Sequence, residues 1–221
     1  MAATDPTWDT SALLLIDVQR DVLDDGATPI AGTSAALPAL RRLAAAFRAA
    51  RRPVVHVVRL YSPDGADADL VRRDALAAGL RMLLAGTEGA QIAPGLLPDG
   101  AARLDHDLLR ARGWQEVGPD EIVLFKPRWS AFFRTPLAAW LADRGVGTVV
   151  VAGCNFPNCP RATAVDAVSH DLRAVVVTDA TSGATPERVR ELAGMGPVPL
   201  TTHEVLAQLT AHAAPAAGRR H

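Results

Sequence analysis

The sequence has no surplus of either charge. Its 23 Lys and Arg residues almost balance its 24 Asp and Glu residues, so the formal net charge is −1. Proteins that bind nucleic acids or anionic membranes usually concentrate positive charge on one face or segment. The composition therefore predicts no nucleic-acid partner, and a small-molecule substrate is the expected partner.

The sequence also lacks long hydrophobic runs and a leader-like segment. The longest apolar runs, such as residues 12–16 and 148–154, fall far short of the ~20 residues that a membrane span needs. Residues 1–10 contain two Asp, no Lys or Arg and no apolar stretch typical of a signal peptide. We therefore expect no membrane association and a cytoplasmic location.

Cysteine is scarce. Cys154 and Cys159 are the only two, and their spacing matches neither a disulfide framework nor a set of zinc ligands. Both are expected to be free thiols in a reducing compartment.

The length and the apolar content indicate one domain. A chain of 221 residues that is 49% hydrophobic is long enough to bury a substantial core. The predicted domain covers residues 1–212. Residues 213–221 consist of Ala, Pro and Gly followed by a terminal Arg-Arg-His, and they are expected to form a flexible tail.

Short apolar runs alternate with segments of helical spacing. Six runs predict strands that are buried on both sides: 12–16, 54–58, 122–125, 148–152, 174–177 and 198–200. Five segments predict helices: 36–50, 69–84, 137–144, 162–170 and 203–211. This alternation predicts an α/β fold with a parallel sheet and helices on both faces. The Gly- and Pro-rich segment 86–120 is expected to be a long excursion over the sheet, either a lid or a subunit contact.

Three chemically distinctive residues follow predicted strands. Asp17 and Lys126 each come directly after an apolar run, and Cys159 lies shortly beyond another. Because open parallel sheets bind ligands beyond the carboxyl ends of their strands, an acid, a base and a thiol are expected to meet at one edge. Each also has an ordinary alternative: a turn aspartate, a surface lysine and a buried cysteine.

The residues after Cys159 favour a helix that begins there. Pro160 is typical of a first helical position, which would put Cys159 at the N-cap. The helix dipole and the free N–H groups at that end favour a thiolate. Asp17 could accept the thiol proton and return it to a leaving amine, and Lys126 could keep Asp17 ionised.

Four segments, in this order, resemble motifs of the isochorismatase-like cysteine hydrolases. They are residues 13–19 (LLLIDVQ), 86–94 (GTEGAQIAP), 126–132 (KPRWSAF) and 149–159 (VVVAGCNFPNC). The resemblance runs through nearly the whole chain, and it implies a six-stranded, mainly parallel sheet and a homo-oligomer.

The resemblance also assigns roles to individual residues. It implies that Asp17, Lys126 and Cys159 are the catalytic triad, and that the backbone N–H groups of Asn155 and Cys159 form the oxyanion hole. It further implies a cis peptide bond between Cys154 and Asn155, with Cys154 in a structural role. Isochorismatases proper lack the cysteine, so Cys159 favours cleavage of a C–N bond through a thioester.

The resemblance implies that no metal or other cofactor is needed. Nicotinamidases of this family often hold a metal through an Asp-x-His pair after the second strand, and residues 56–67 contain no such pair. His56 is therefore expected to be a core or edge histidine rather than a ligand.

The pocket is expected to differ from that of the better-known members. Val22 stands where Phe is frequent, and residues 156–158 replace a Thr-centred stretch. The candidate substrate-binding residues are Val22, Arg128, Trp129, Phe132, Phe156 and Asn158. For the aromatic residues among these candidates, packing in the core is an equally good interpretation.

Three functions remain open from the sequence. The leading one is a cysteine-dependent amidohydrolase acting on a small amide, ureido or lactam substrate through a thioester. The second is a cysteine-independent isochorismatase-type, ester or lactam hydrolase that uses Asp17 and Lys126. The third is a catalytically silent, oligomeric binding module.

Overall fold

The computed structural model describes residues 2–212, so the tail expected at 213–221 lies outside the described residues. The described chain folds around a single sheet of seven strands. In chain order the strands are β1 Ser11–Ile16, β2 Val54–Val58, β3 Trp114–Gly118, β4 Glu121–Phe125, β5 Thr148–Gly153, β6 Arg173–Thr181 and β7 Val198–Leu200. Their spatial order is β3-β4-β2-β1-β5-β6-β7, and only β3 runs antiparallel to its neighbour.

Helices cover both faces of this sheet, as predicted. The α-helices of residues 2–212 are α1 Thr33–Ala49, α2 Leu70–Ala77, α3 His106–Arg112, α4 Leu137–Ala142, α5 Cys159–Ser169, α6 Pro186–Ala193 and α7 Thr202–Ala211. Side chains alternate along β1, so that Leu13 and Leu15 join the core under α1, α3 and α7. Leu14 and Ile16 join the opposite core, under α4, α5 and α6. No helix of the described residues is long and apolar enough to cross a membrane.

The α/β architecture is confirmed, but the sheet has seven strands rather than six. The additional strand β3 lies within the segment 86–120 and pairs with β4 at the edge of the sheet. Its one fully buried residue is the polar Gln115, so it carries no apolar run that would predict a strand. The remainder of the segment is packed rather than loosely draped, since Ile92, Ala93 and Leu96 all lie in the core.

Helix prediction missed two helices and misplaced the end of a third. Helix α6 buries only Leu192, and α3 has only seven residues, so each offers little apolar sequence from which to predict a helix. The helix expected over 69–84 ends at Ala77, shortly before Gly79 adopts a φ of +98°. A left-handed glycine of this kind commonly ends a helix.

The strand order brings the relevant carboxyl ends together. Strands β2 and β4 lie on one side of β1, and β5 lies on its other side. The strand order therefore reverses between β1 and β5, and open parallel sheets bind ligands at such a switch point. Gly153 ends β5 against β1, where a Cβ atom would lie 2.3 Å from the carbonyl oxygen of Ile16. Glycine at this position therefore allows the close approach of the two strand ends.

Removing a large side chain between α1 and the sheet tests this packing. Phe47 of α1 is completely buried. We expect Phe47→Ala to lower the free energy of unfolding by about 3–5 kcal/mol, because it leaves a cavity in a dense core. Val71→Ala on α2 is the control, since Val71 is 71% exposed and its loss should matter by less than about 0.5 kcal/mol. Urea unfolding measures both; equal effects would contradict the described packing.

Candidate active site

Asp17, Lys126 and Cys159 meet at the carboxyl edge of the sheet; we call them the candidate triad. The Lys126 Nζ lies 2.9 Å from Oδ2 of Asp17 and donates to Sγ of Cys159 over 3.3 Å. It also donates to the backbone oxygen of Arg128, 3.2 Å away. The buried ammonium group of Lys126 thus contacts both the carboxylate and the thiol.

The end of β1 fixes the carboxylate. Asp17 is the first residue after the strand, and its backbone N–H donates to the Val57 oxygen over 2.8 Å. Its φ of +52° is a left-handed conformation that Asp tolerates better than most residues. Among the described residues, nothing donates to the buried Oδ1 of Asp17. One carboxylate oxygen therefore binds Lys126 and the other is available for a proton.

Helix α5 fixes the thiol. The helix begins at Cys159, so Asn158 rather than Cys159 is the N-cap, and the prediction was off by one residue. Pro160 occupies the first turn, as its backbone preferences predicted. The thiol thus lies at the amino-terminal end of α5.

Electrostatics oppose a thiolate in the free protein. Burial raises the pKa of Cys159, and the nearby negative charge of Asp17 raises it further, to about 12, although Lys126 acts in the opposite direction. Burial therefore opposes the thiolate that the start of a helix favours, so the thiolate stays a prediction. Burial alone would lower the pKa of Lys126, but attraction to Asp17 and Cys159 more than compensates and raises it. These two shifts favour an ammonium group and a thiol in the free protein.

Two backbone donors remain free beside the thiol. The peptide bond between Cys154 and Asn155 is cis, as the resemblance implied. In the loop between β5 and α5, the N–H groups of Cys154, Phe156 and Asn158 donate to backbone oxygens. Within residues 2–212, no group accepts a hydrogen bond from the N–H of Asn155 or Cys159. These two N–H groups are the ones expected to bind an oxyanion.

A narrow cavity opens on the candidate triad. The volume of this cavity is only about 30 Å³, which suits a small group. Val22, Arg128 and Trp129 line it, as predicted, together with Asn155. None of its lining residues comes from the segment 86–120, so that segment is not a lid over it.

Three predicted substrate-binding residues do not line the cavity. Phe132 packs against the ring of His170, with 4.9 Å between ring centroids, and Phe156 is buried in the core. Asn158 serves as the N-cap residue of α5. For both aromatic residues, core packing is therefore the correct interpretation.

Other lining residues come from the segment after β2 and were not predicted. They are Arg59, Tyr61, Asp69, Arg72, Met82 and Leu83. Arg59 directly follows β2, so the strand-end rule that identified Asp17 could have found it. Asp69 and Arg72 lie at the start of α2, far beyond the strand, and no sequence pattern marks them.

The described residues offer no evident metal site. Between residues 2 and 212, no group of three or more His, Cys, Asp or Glu residues is arranged to hold an ion. His56 is buried in β2 and shares a 2.6 Å hydrogen bond with Glu121, so it is a core histidine. Burial lowers the pKa of His56 despite the opposing effect of Glu121.

The fold and the site together define a domain of the isochorismatase type, with acid, lysine and thiol at the edge of a mainly parallel sheet. Residues 11–196 match the isochorismatase domain family. The chain belongs to this family.

The similarity to known proteins extends over most of the chain. A probable inactive nicotinamidase of Arabidopsis thaliana is 33% identical over 204 residues, covering 89% of this chain and 95% of the relative. A maleamate amidohydrolase of Pseudomonas putida is 34% identical over 170 residues, covering 76% of this chain and 70% of the relative. The crystal structure of an isochorismatase family protein from Desulfovibrio vulgaris superposes with a TM-score of 0.76 at 36% identity, covering 92% and 99% of the two chains.

The buried ion pair should dominate the stability of the site. We expect Lys126→Met to lower the free energy of unfolding by about 3–5 kcal/mol, because it leaves the Asp17 carboxylate buried without its cation. Adding Asp17→Asn should recover part of the loss. Urea unfolding of the single and double variants measures the coupling, and a double variant whose loss is the sum of the two single losses would contradict it.

The raised pKa of Cys159 predicts its reactivity. In folded Cys154→Ala protein, we expect alkylation by iodoacetamide to be slow at pH 7 and to accelerate without a plateau up to about pH 10, because the thiolate fraction keeps rising below the pKa. Unfolded protein should level off above about pH 8.5, as an ordinary thiol does. The labelling rate against pH is read by intact mass. A plateau near pH 7 in the folded protein would indicate a resting thiolate instead.

Proposed function

We propose that this chain is a cysteine-dependent amidohydrolase that cleaves a C–N bond of a small amide or ureido substrate through a thioester. The observation that carries the proposal is the double contact of Lys126, 2.9 Å from the carboxylate of Asp17 and 3.3 Å from the thiol of Cys159. This arrangement supports the proposal, because a thiol, a carboxylate and an ammonium group face one cavity and could serve as nucleophile, proton acceptor and fixed positive charge.

Attack begins from the thiol. As Sγ of Cys159 approaches the substrate carbonyl, its proton passes to the free Oδ1 of Asp17, and a C–S bond forms. The carbonyl oxygen gains the negative charge and accepts hydrogen bonds from the N–H groups of Asn155 and Cys159. Lys126 stabilises the charge that moves from the carboxylate to the sulfur.

The same proton then serves the leaving group. Protonated Asp17 donates to the substrate nitrogen, the C–N bond breaks and the amine departs, which leaves a thioester on Cys159. Water attacks the thioester while Asp17 takes one of its protons, and the C–S bond breaks to release the acid. Asp17 returns the proton to the sulfur, so the resting thiol is restored.

The relatives and the shape of the site agree with an amide substrate. The Pseudomonas putida relative is named a maleamate amidohydrolase. The narrow cavity beside Cys159 suits a planar amide or ureido group better than a bulky one. The cycle uses groups of the protein and water, and it calls for no metal. The expected homo-oligomer and the cytoplasmic location stay predictions.

A second candidate function is a binding module without catalysis. It is favoured by the Arabidopsis thaliana relative, which is named a probable inactive nicotinamidase. Against it stands the full set of carboxylate, lysine and thiol in bonding contact. An inactive module would have no need of the free carboxylate oxygen of Asp17.

Trapping the thioester tests the proposal. We expect a panel of small primary amides and ureido acids to include substrates that release ammonia, and Cys159→Ala to lower kcat by at least roughly a thousandfold. During turnover, rapid acid quenching and intact-mass measurement should reveal an acyl adduct on the Cys159 peptide.

Cys154→Ala is the control for the trapping experiment, and its adduct should remain on Cys159. Turnover that persists in Cys159→Ala would support the cysteine-independent hydrolase that uses Asp17 and Lys126. Absence of both turnover and adduct over the whole panel would favour the binding module.

A further inference from the structure

Asp69 is a buried carboxylate in the cavity for which the proposed mechanism has no use. It immediately precedes α2, and only 7% of it is exposed. Although it is the N-cap residue, its side chain accepts no hydrogen bond from the helix. The carboxylate is therefore not explained by helix capping.

Only one of its two oxygens has a partner. Oδ2 accepts a hydrogen bond from the Tyr61 hydroxyl over 3.1 Å. Among the described residues, nothing donates to the buried Oδ1. A buried acceptor without a donor is unfavourable and uncommon in folded proteins. Asp69 thus retains an acceptor site that a bound molecule could satisfy.

Tyr61 holds the carboxylate in this arrangement. Burial raises the pKa of Tyr61, so its hydroxyl remains a donor at any physiological pH. The guanidinium of Arg59 lies 3.9 Å from the centre of the Tyr61 ring and fixes it from the other side. Oδ2 therefore stays engaged, and Oδ1 is the oxygen left for a ligand.

Arg72 offers the complementary group. It lies three residues after Asp69, within the first turn of α2, and it lines the same cavity. Among the residues that the structure describes, its guanidinium donates only to the thioether sulfur of Met82, at 3.4 Å, and thioethers are weak acceptors. A free acceptor and a donor with a weak partner thus line the same cavity.

Asp69 also marks the outer end of the cavity. Together with Arg128 and Trp129 it lines both the cavity and a wider groove outside, whereas no member of the candidate triad lines that groove. A substrate whose carbonyl reaches Cys159 would therefore present a more distant group to Asp69.

We propose that Asp69 and Arg72 form a subsite for a second amide or ureido group of the substrate. The N–H of that group donates to Oδ1 of Asp69, and its carbonyl oxygen accepts from Arg72. A planar amide fits because it carries a donor and an acceptor together, which a simple amine or ester does not. The substrate class is thus a small amide with a second, uncleaved amide or ureido group. This assignment rests on the proposed amidohydrolase function.

A matched pair of ligands tests the subsite. Succinamide carries a second carboxamide, and methyl succinamate replaces it with an ester that lacks the N–H. In Cys159→Ala protein, which allows binding without turnover, we expect succinamide to bind roughly ten- to a hundredfold more tightly by calorimetry. With active protein, the same preference should appear in kcat/KM. Equal affinity for the two compounds, or binding of neither, would overturn the proposal.

Variants test whether the preference for succinamide depends on Asp69. Asp69→Ala in the Cys159→Ala background should reduce the preference to less than about threefold. Asp166→Asn is the matched control, because Asp166 lines the outer groove but not the cavity, and it should leave the preference intact. If Asp69→Ala fails to fold, the ligand pair in Cys159→Ala protein remains decisive. A preference that survives Asp69→Ala would overturn the assignment.

The two proposals fail differently. Preferential binding of succinamide without turnover in active protein would support the subsite and contradict the amidohydrolase function. Turnover of both compounds at equal kcat/KM would support the function and contradict the subsite.

Discussion

The site depends on the buried pair of Lys126 and Asp17. An ammonium group and a carboxylate that are both removed from water are each costly alone, and their 2.9 Å contact compensates much of that cost. The pair needs two strand ends in fixed relation, since Asp17 follows β1 and Lys126 follows β4. The intervening strand β2 sets their separation. Sheet order, rather than any local motif, thus brings these charges into contact.

Burial also shapes the proposed chemistry. The low-polarity surroundings that strengthen the pair raise the pKa of the Cys159 thiol. In the proposed mechanism, the nucleophile therefore forms only when substrate is present and Asp17 takes the proton. The resting thiol is in this way less exposed to oxidation and alkylation, which act on thiolates. Desolvation thus disfavours ionisation of the Cys159 thiol in the free protein. In a complex with substrate, the same desolvation strengthens hydrogen bonds to an oxyanion.

Sequence reasoning recovered the parts of the structure that rest on continuous apolar runs. All six predicted strands are present, and the strand-end rule brought Asp17, Lys126 and Cys159 together because parallel strands share one carboxyl edge. Strand β3 was not predicted, because a strand at the edge of the sheet buries few side chains and needs no apolar run. The cavity wall at Asp69 was not predicted, because it depends on how the segment after β2 folds back over the sheet. Phe132 and Phe156 were assigned to the pocket, although they lie in the core, because no sequence pattern separates a pocket wall from a core.

The double contact of Lys126 has a consequence for how such a chain changes over generations. Its bond to Asp17 involves two charges, whereas its bond to Cys159 involves a neutral thiol. Replacing the cysteine removes the proposed nucleophile but leaves the ion pair intact, whereas replacing the lysine leaves the Asp17 carboxylate buried without a cation. Descendants can therefore abandon the reaction and keep the fold, and in such lineages the aspartate and the lysine should outlast the cysteine.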